Sequence, residues 1–347
     1  MSRKTKIGIL GGGQLGLMLA RAAERLPFPV EISIYDRLPE ACARTESHSF
    51  HCGDFDDVHA IQQFAKDLDV ITYEFENISP SVVEILPNVP QGTRALRTLQ
   101  NRLSEKKFIN SLPGIPTVPY TEVTSDFSFD YPYIVKTAQF GYDGKGQHIV
   151  HGTQDLKYAE KGMIAEQYLP GITEYSLIIA RNIHGEIAHF PIFENVHRNH
   201  ILDTTWFASV SQELESQMIE KAQAIIRTLD YYGVLTVEFF LSGQNLYVNE
   251  VAPRVHNSGH ITLDAANVSQ FDLHIYSLLG MNFPKIIVDT TWCMVNVLGQ
   301  HYESVTMNHF PGTFYDYGKN STVKNRKVGH INGKLSDIER LKEVRNR

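Results

Sequence analysis

Short apolar runs alternate with helical patterns over about the first ninety residues. The runs KIGIL, VEISIYD, SFHCGD and VITYEF read as strands, and segments near 14–26 and 56–67 have helical periodicity. Strands that alternate with helices are typical of βαβ units in a parallel sheet. We therefore predict a Rossmann-like α/β domain over residues 1–97.

The pattern changes after VPQGTRAL. The polar, periodic segment TLQNRLSEKKFINSL predicts one helix, which ends at PGIPTVP because prolines and a glycine oppose its continuation. Short strands follow, with one long helix near 212–230 and a hairpin made of VLTVEFF and LYVNEVAP. This mixture predicts an α+β domain over residues 98–287. Three further strand-like runs predict a small β-rich C-terminal domain over residues 288–347.

Composition and charge exclude several classes of protein. Apolar residues make up 42% and charged residues 20%, which excludes a disordered chain. The net charge of -7, without a long basic run, argues against a nucleic acid partner. No signal peptide and no run of ~20 apolar residues is visible, and the three cysteines have no C-x-x-C spacing. We expect a cytoplasmic protein with no membrane contact.

The first strand leads into a glycine-rich turn. Gly11, Gly13 and Gly16 have the G-x-G-x-x-G spacing of a dinucleotide-binding turn, and Asp36 follows the second strand, where a ribose-binding acid would stand. A glycine-rich βα turn that binds no dinucleotide has the same spacing. The motif alone does not decide between the two interpretations.

A second glycine-rich segment, VKTAQFGYDGKGQ, follows residue 134. Its glycines give mobility and exposed backbone N–H groups, and its two lysines give positive charge. The segment therefore suits a lid that closes over a polyphosphate, although a flexible hairpin with solvated lysines would look the same.

The hairpin near residue 240 is the best candidate for a metal site. Glu238 and Glu250 lie in two otherwise apolar strands, where a carboxylate is costly unless a cation neutralises it. Oxygen ligands of this kind suit Mg²⁺. A three-residue turn (243–245) would place the two carboxylates opposite each other, whereas a two- or four-residue loop would place Asn249 opposite Glu238. We predict the three-residue turn; the alternative is a pair of edge-exposed glutamates.

Two polar clusters are further candidates for a site. The segment APRVHNSGH, directly after Glu250, contains Arg254, His256, Asn257 and His260, and this set of one cation, two imidazoles and one amide fits a small anion. The segment ENVHRNHIL places His197 and Arg198 after a strand.

Together these segments resemble the ATP-grasp superfamily and, within it, the branch that carboxylates 5-aminoimidazole ribonucleotide. The resemblance covers nearly the whole chain through GGGQLG, YEFENI, LQNRLSEK, GYDGKGQ, ENVHRNHIL, VEFF, NEVAPRVHNSGH, SQFDLH and RKVGH. NSGH and YEFEN separate this branch from formate-using and biotin-carboxylating relatives. The resemblance implies an ATP-grasp central domain with a mobile lid at about 117–170. It also implies that ATP phosphorylates bicarbonate to carboxyphosphate and that the ribonucleotide amine captures the carboxyl group in purine biosynthesis. A homodimer is expected.

The resemblance also implies roles for matched residues. Mg²⁺ would be held by Glu238 and Glu250, and the bicarbonate-derived group by the catalytic residues Arg254, His256 and Asn257. The ribonucleotide would face Gln14, Leu15, Glu76 and Lys327. ATP would be held by Arg102, Lys136, Gly141, Tyr142, Asp143, Gly144, Lys145, Gly146, Gln147, Glu166, Gln167, Tyr168, Leu169, Glu174, His197, Asn249 and Glu250.

The sequence departs from the family pattern at two places. Ala138, Gln139 and Phe140 stand where relatives often have an arginine and a glycine, and Ala252 stands where many ATP-grasp enzymes have an asparagine. Two alternatives stay open: another ATP-grasp carboxylase or formate-dependent transformylase, and a nucleotide-sensing protein that binds NAD without turnover.

Overall fold

The structure is a computed structural model that describes residues 3–139, 141, 146–319 and 323–346. Its strands form three sheets of four, nine and four strands. In the described part of the chain, no helix is long and apolar enough to cross a bilayer.

The N-terminal sheet is parallel, which confirms the Rossmann-like prediction. Its strand order is β3-β2-β1-β4. The elements are β1 (Thr5–Leu10), α1 (Gln14–Glu24), β2 (Val30–Asp36), β3 (Ser49–Cys52), α2 (Val58–Ala65), β4 (Val70–Tyr73) and α3 (Pro80–Glu84).

The single helix predicted from the TLQNRLSEKKFINSL segment is wrong. The structure has two helices, α4 (Arg94–Leu99) and α5 (Arg102–Asn110). Between them Asn101 is extended, and its side chain accepts hydrogen bonds from the backbone N–H groups of Leu103 and Ser104. Asn101 therefore caps a new helix instead of continuing the first.

A small antiparallel sheet follows, with the order β5-β8-β6-β7. Its strands are β5 (Tyr120–Glu122), β6 (Tyr133–Lys136), β7 (Gln147–Val150) and β8 (Ile164–Gln167). The glycine-rich segment connects β6 to β7, and four of its predicted ATP-binding residues, Tyr142, Asp143, Gly144 and Lys145, lie outside the described residues. Phe140 of the departure noted above also lies outside them.

The large sheet is antiparallel and confirms the α+β prediction. Its order is β14-β13-β9-β11-β12-β15-β17-β16, with β10 paired to β9. Its strands are β9 (Thr173–Arg181), β10 (Ile187–His189), β11 (Phe193–Arg198), β12 (Ile201–Phe207), β13 (Gly233–Ser242), β14 (Asn245–Ala252), β15 (Trp292–Leu298), β16 (Thr313–Asp316) and β17 (Lys327–Lys334). The C-terminal strands are part of this sheet because β15 pairs with β12.

One hairpin of this sheet was not predicted. His197 and Arg198 lie at the end of β11 and not after it, and β12 returns directly beside them. Asn199 and His200 form the turn with φ of 50° and 65°. Because asparagine and histidine tolerate this left-handed region better than most residues, the tight turn is possible without glycine.

Helices cover both faces of the large sheet. Strand β9 is apolar on both sides: Leu177 and Ile179 pack in one core with the helix α6 (Gln212–Thr228), and Ile178 packs in another with the helix α8 (Gln270–Leu278). The remaining helices are α7 (Thr262–Ala265), α9 (Tyr302–Met307) and α10 (Ile338–Asn346). Helix α1 of the N-terminal domain shares the core of α8, so the two sheets meet across a continuous apolar contact.

Candidate active site

The predicted carboxylate pair is formed, although not by the predicted turn. The hairpin turn has two residues, because Ser242 pairs with Asn245, and the three-residue prediction is wrong. A β-bulge between Glu238 and Phe239, on the partner side at Asn249, then shifts the register by one residue. Glu238 therefore pairs with Glu250, and the predicted opposition of the two carboxylates is confirmed.

The electrostatics of this pair fit a hard cation. Burial and the neighbouring Glu250 raise the pKa of Glu238 to about 7. Asn249 Nδ2 lies 3.4 Å from Glu238 Oε2, and the Oδ1 atom of Asn249 is buried without a hydrogen-bond partner. The described residues include no group of three or more His, Cys, Asp or Glu side chains suited to a metal. A cation at this site would therefore take its other ligands from bound phosphates or water.

Helix α5 brings two charged residues to strand β14. Arg102 Nη1 lies 2.9 Å from Glu250 Oε2, and the Arg102 N–H donates to the carbonyl of Ala138. Glu105, one turn further on, accepts a 2.6 Å hydrogen bond from the Val251 N–H. Burial and Glu250 raise the pKa of Glu105 to about 8. Sequence reasoning identified Arg102 but missed Glu105.

A buried carboxylate between two lysines lies beside this helix. Glu166 Oε2 is 2.6 Å from Lys136 Nζ, and Glu166 Oε1 is 3.2 Å from Lys106 Nζ. Burial by itself would raise the pKa of Glu166, but the two lysines outweigh it and lower the pKa to about 2. Lys106 was not predicted. The available signal was its spacing of four residues from Arg102, which places both side chains on one face of α5.

The other predicted ATP-binding residues lie around β7, β8, β9 and β11. His197 Nδ1 is 2.7 Å from Glu174 Oε2. Burial lowers the pKa of His197, but the hydrogen bond and charge of Glu174 outweigh it and raise the pKa above its ordinary value. Gln147 Nε2 donates to His200 Nδ1 at 2.6 Å, which joins the end of the glycine-rich segment to the β11–β12 turn.

The predicted ATP-binding residues 166–169, which the family resemblance makes a hinge, begin in β8 of the small sheet. Gln167 donates its backbone N–H to the Pro119 carbonyl, and Tyr168 and Leu169 follow as half-buried residues. Gly146 has a φ of 74°, and Gly141 is half-buried.

The predicted anion-binding segment contacts the N-terminal domain. The Arg254 guanidinium forms a two-bond ion pair with Glu76, in which Nη2 and Oε1 are 3.0 Å apart. Glu76 was predicted to face the ribonucleotide, so the structure brings two predicted clusters together. His256 Nε2 lies 3.3 Å from Glu238, and burial together with Arg254 keeps the pKa of His256 well below its ordinary value.

Asn257 is bound differently from its neighbours. Its side-chain amide and that of Asn296 on β15 form two reciprocal hydrogen bonds of 3.0 and 2.7 Å. Both side chains are buried. The contact with Asn296 occupies one donor and one acceptor of the Asn257 amide, and sequence reasoning did not identify Asn296.

Carboxylates occupy the first glycine-rich turn. The Gly12 N–H donates to Asp36 at 2.6 Å, and the Gly13 N–H donates to Glu74 at 3.0 Å. Burial raises the pKa of Glu74 to about 7. Asp36 also accepts from the Leu38 N–H, so its oxygens are engaged with backbone. Backbone donors already bound to acidic side chains are poorly suited to a dinucleotide pyrophosphate.

The remaining predicted residues lie near the C-terminal strands. Gln14, the first residue of α1, accepts a hydrogen bond from Lys319 Nζ, and Leu15 beside it is buried. Lys327 begins β17 and lowers the pKa of His256. Lys319, which sequence reasoning missed, links the first βα turn to the C-terminal region.

Comparisons with known proteins give matches over nearly the whole chain. Three family models match in chain order: the ribonucleotide synthetase preATP-grasp domain (4–95), the ATP-grasp domain (113–271) and the phosphoribosylaminoimidazole carboxylase C-terminal domain (293–344). The chain is 37% identical to an N5-carboxyaminoimidazole ribonucleotide synthase of Staphylococcus aureus, over 97% of this chain and 94% of the relative.

Solved structures of similar proteins also match nearly the whole chain. N5-carboxyaminoimidazole synthetase from S. aureus complexed with ADP has a TM-score of 0.91 and 35% identity, over 99% of this chain and 98% of that one. The synthase from Aspergillus clavatus in complex with ADP and 5-aminoimidazole ribonucleotide has a TM-score of 0.87 and 25% identity, over the full length of both chains.

Proposed function

The chain belongs to the family of ATP-dependent N5-carboxyaminoimidazole ribonucleotide synthases, and from this membership we propose that it carboxylates 5-aminoimidazole ribonucleotide with bicarbonate. An oxygen of bicarbonate attacks the γ-phosphorus of ATP, which releases ADP and forms carboxyphosphate. The exocyclic amine of the ribonucleotide then attacks the carboxyl carbon, loses a proton and displaces phosphate. The reaction belongs to purine biosynthesis.

The opposed pair of Glu238 and Glu250 is the observation that supports the ATP site most directly. We propose that Mg²⁺ binds these two carboxylates, where its charge would be set against the phosphates of ATP. Arg102, which pairs with Glu250, and Lys136, which pairs with Glu166, would supply positive charge to the phosphates, and Lys106 is added to the predicted set because it shares Glu166 with Lys136. Phosphoryl transfer depends mainly on such positioning and charge neutralisation.

The other predicted ATP contacts fit this placement. The segment between β6 and β7, with Gly141, Gly146 and Gln147, would cover the phosphates as a lid, and Glu174 with His197 would lie beside the nucleotide. Carboxyphosphate hydrolyses readily, so lid closure over it would exclude water until the amine arrives. The hinge at Glu166–Leu169 would allow this closure.

The acceptor is proposed to lie where the two domains meet. His256 lies beside Glu238, and with Arg254 it would hold the bicarbonate-derived group, whereas Glu76, Gln14 and Lys327 would face the ribonucleotide. Asn257 would act through the second N–H of its side-chain amide, which the two bonds to Asn296 do not use, or through its backbone. We further propose the domain limits 1–97, 98–287 and 288–347, a cytoplasmic location that suits the free cysteines, and a homodimer.

The test measures ADP release under four conditions: with both bicarbonate and 5-aminoimidazole ribonucleotide, with each alone, and with formate plus glycinamide ribonucleotide. The proposal expects full ADP release only with the first pair. Full activity with formate and glycinamide ribonucleotide would assign the chain to the transformylases instead. Tight NAD binding without any ADP release would favour the nucleotide-sensing alternative.

A further inference from the structure

A continuous chain of buried hydrogen bonds crosses the contact between the N-terminal sheet and the large sheet. The Val234 N–H on β13 donates to His274 Nδ1 at 3.0 Å. The other ring nitrogen, Nε2, therefore carries the proton and donates to the Thr72 hydroxyl at 2.9 Å. The Thr72 hydroxyl in turn donates to Gln91 Oε1 at 2.6 Å. These bonds link β13, α8 and β4.

The chain of hydrogen bonds continues back into the large sheet. Gln91 Nε2 donates to the Tyr231 hydroxyl at 3.0 Å, and the Tyr231 hydroxyl donates to the Pro253 carbonyl at 2.6 Å. A backbone donor begins the sequence of bonds and a backbone acceptor ends it, so every hydroxyl and ring proton has one fixed direction. Thr72, Gln91, Tyr231 and His274 are each at most 2% exposed. Water cannot replace a bond that is lost there without entering the contact.

Two members of the chain of bonds, Gln91 and Pro253, connect it to the proposed acceptor site. Gln91 also binds the backbone of Tyr73, accepting from its N–H at 3.1 Å and donating to its carbonyl at 3.3 Å. Tyr73 stands three residues before Glu76 in sequence, and Pro253 directly precedes Arg254. Glu76 and Arg254 form the ion pair that joins the two domains. The buried bonds therefore fix the two backbone segments that carry this ion pair.

We propose that Gln91, Tyr231 and Thr72 are positioning residues that hold the Glu76–Arg254 pair in register, so that ATP consumption stays coupled to carboxylation of the ribonucleotide. The inference rests on the proposed function. The three residues would act by fixing the positions of Glu76 and Arg254, because a displacement of about 1 Å at a reacting centre is enough to lower a rate up to a hundredfold. They need not touch a substrate to have this effect.

Tyr231→Phe tests the proposal because it removes only the hydroxyl that binds Pro253. We expect the KM for 5-aminoimidazole ribonucleotide to rise about tenfold and the carboxylated product formed per ADP to fall, while the KM for ATP stays within about twofold. Thr72→Val, which interrupts the same chain of bonds further away, should change the KM and the product ratio in the same direction by less.

Tyr35→Phe is the matched control. Tyr35 is equally buried, and its hydroxyl also donates to a backbone carbonyl, that of Asp54 at 2.9 Å, within the N-terminal domain. The control should lose thermal stability as Tyr231→Phe does but keep the wild-type KM and the wild-type product ratio. Equal KM values and product ratios in Tyr231→Phe and Tyr35→Phe would overturn the proposal.

Two further outcomes are separated by the same assay. If Tyr231→Phe does not fold, Thr72→Val decides, and an unchanged product ratio in that variant overturns the proposal. Wild-type enzyme that releases no ADP with bicarbonate and the ribonucleotide would contradict the proposed function itself. The variants are therefore compared only after the wild-type enzyme has been shown to release ADP with bicarbonate and the ribonucleotide.

Discussion

At the scale of single residues, the site is organised by charges whose partners could be predicted only in part. Glu238 and Glu250 were identifiable because a carboxylate inside an apolar strand is costly unless a cation neutralises it. Glu105 and Lys106 were not, because a polar helix face is ordinarily solvated, and Lys319 was not, because it lies in a polar loop after β16. The contacts of these three residues depend on the long-range approach of β8, β14 and α1, which no local pattern contains.

The Glu250→Gln variant tests the role of the opposed carboxylates. The substitution keeps the size of the side chain but removes the charge that pairs with Arg102 and that would bind Mg²⁺. We expect kcat to fall by about a hundredfold to a thousandfold, on the scale of a lost group that stabilises transition-state charge. The measurement is steady-state ADP release at saturating substrates.

Glu84→Gln is the control for that substitution. Glu84 forms an ion pair with Arg97 on the exposed surface, so its loss should leave kcat unchanged. If Glu250→Gln keeps most of the wild-type kcat, Glu250 does not bind a catalytic Mg²⁺.

At the scale of elements, helix α5 contributes three charged side chains to the site. Arg102, Glu105 and Lys106 stand three and four residues apart, so one face of the helix presents all three to the site. A continuous helix was predicted because its polar pattern has no break. The chain breaks between α4 and α5 because Asn101 adopts the extended backbone of an N-cap. The sequence alone does not distinguish a capping asparagine from an asparagine inside a continuous helix.

Asn101→Ala tests how much the cap contributes. Loss of the two hydrogen bonds to Leu103 and Ser104 should lower the free energy of unfolding by about 1 kcal/mol. Because Arg102 follows directly, the KM for ATP should also rise, by an amount that Asn101→Ser restores. Urea unfolding and ADP-release kinetics measure the two effects.

Ser211→Ala provides a cap substitution away from the site. Ser211 caps α6 through the Leu214 N–H, so the variant should lose similar stability without a change in the KM for ATP. An equal rise in KM in both variants would mean that the effect is general loosening and not the position of Arg102.

The β13–β14 hairpin shows how a correct prediction can rest on a wrong premise. The sequence required the two glutamates to face each other, and they do. The route was a two-residue turn plus a bulge at Asn249, whereas a three-residue turn was expected. One extra residue shifts the pairing of the strands by one position, whether it lies in the turn or in a bulge. The side chains that share one face are therefore the same in both structures and cannot distinguish them.

At the scale of the whole molecule, the order of the domains was predictable and their continuity was not. Local periodicity gave the parallel sheet, the α+β unit and the C-terminal strands, and motif resemblance gave the ATP-grasp arrangement. The pairing of Thr205 with Met294 makes the C-terminal strands part of the large sheet. That pairing joins residues nearly ninety positions apart, and hydrophobic alternation contains no information on such a partner.

Buried histidine at the domain contact makes stability depend on pH. Burial lowers the pKa of His274 to about 3, from an ordinary value of 6.5. Between pH 6.5 and 3 the unfolded chain binds a proton that the folded chain excludes, so the contribution to stability is lost as pH falls, by up to about 1.4 kcal/mol per pH unit. His274→Gln removes this dependence.

The measurement compares urea unfolding of wild type and His274→Gln at pH 7.5 and pH 5. The stability advantage of wild type should narrow by about 2 kcal/mol at the lower pH. The same substitution at the exposed His59 is the control, and its difference from wild type should stay constant. A constant difference for His274→Gln as well would contradict a neutral, buried imidazole at this contact.

The transfer of oxygen from bicarbonate to phosphate distinguishes the carboxyphosphate route from every reaction that leaves bicarbonate unphosphorylated. In carboxyphosphate the oxygen that bridges carbon and phosphorus comes from bicarbonate, and it leaves with the phosphate when the amine attacks. With ¹⁸O-labelled bicarbonate, ATP, Mg²⁺ and 5-aminoimidazole ribonucleotide, we expect one ¹⁸O atom in each phosphate released and one carboxylated ribonucleotide per ADP. Phosphate without ¹⁸O, or ADP formed without carboxylated product, would show that carboxyphosphate is not the intermediate.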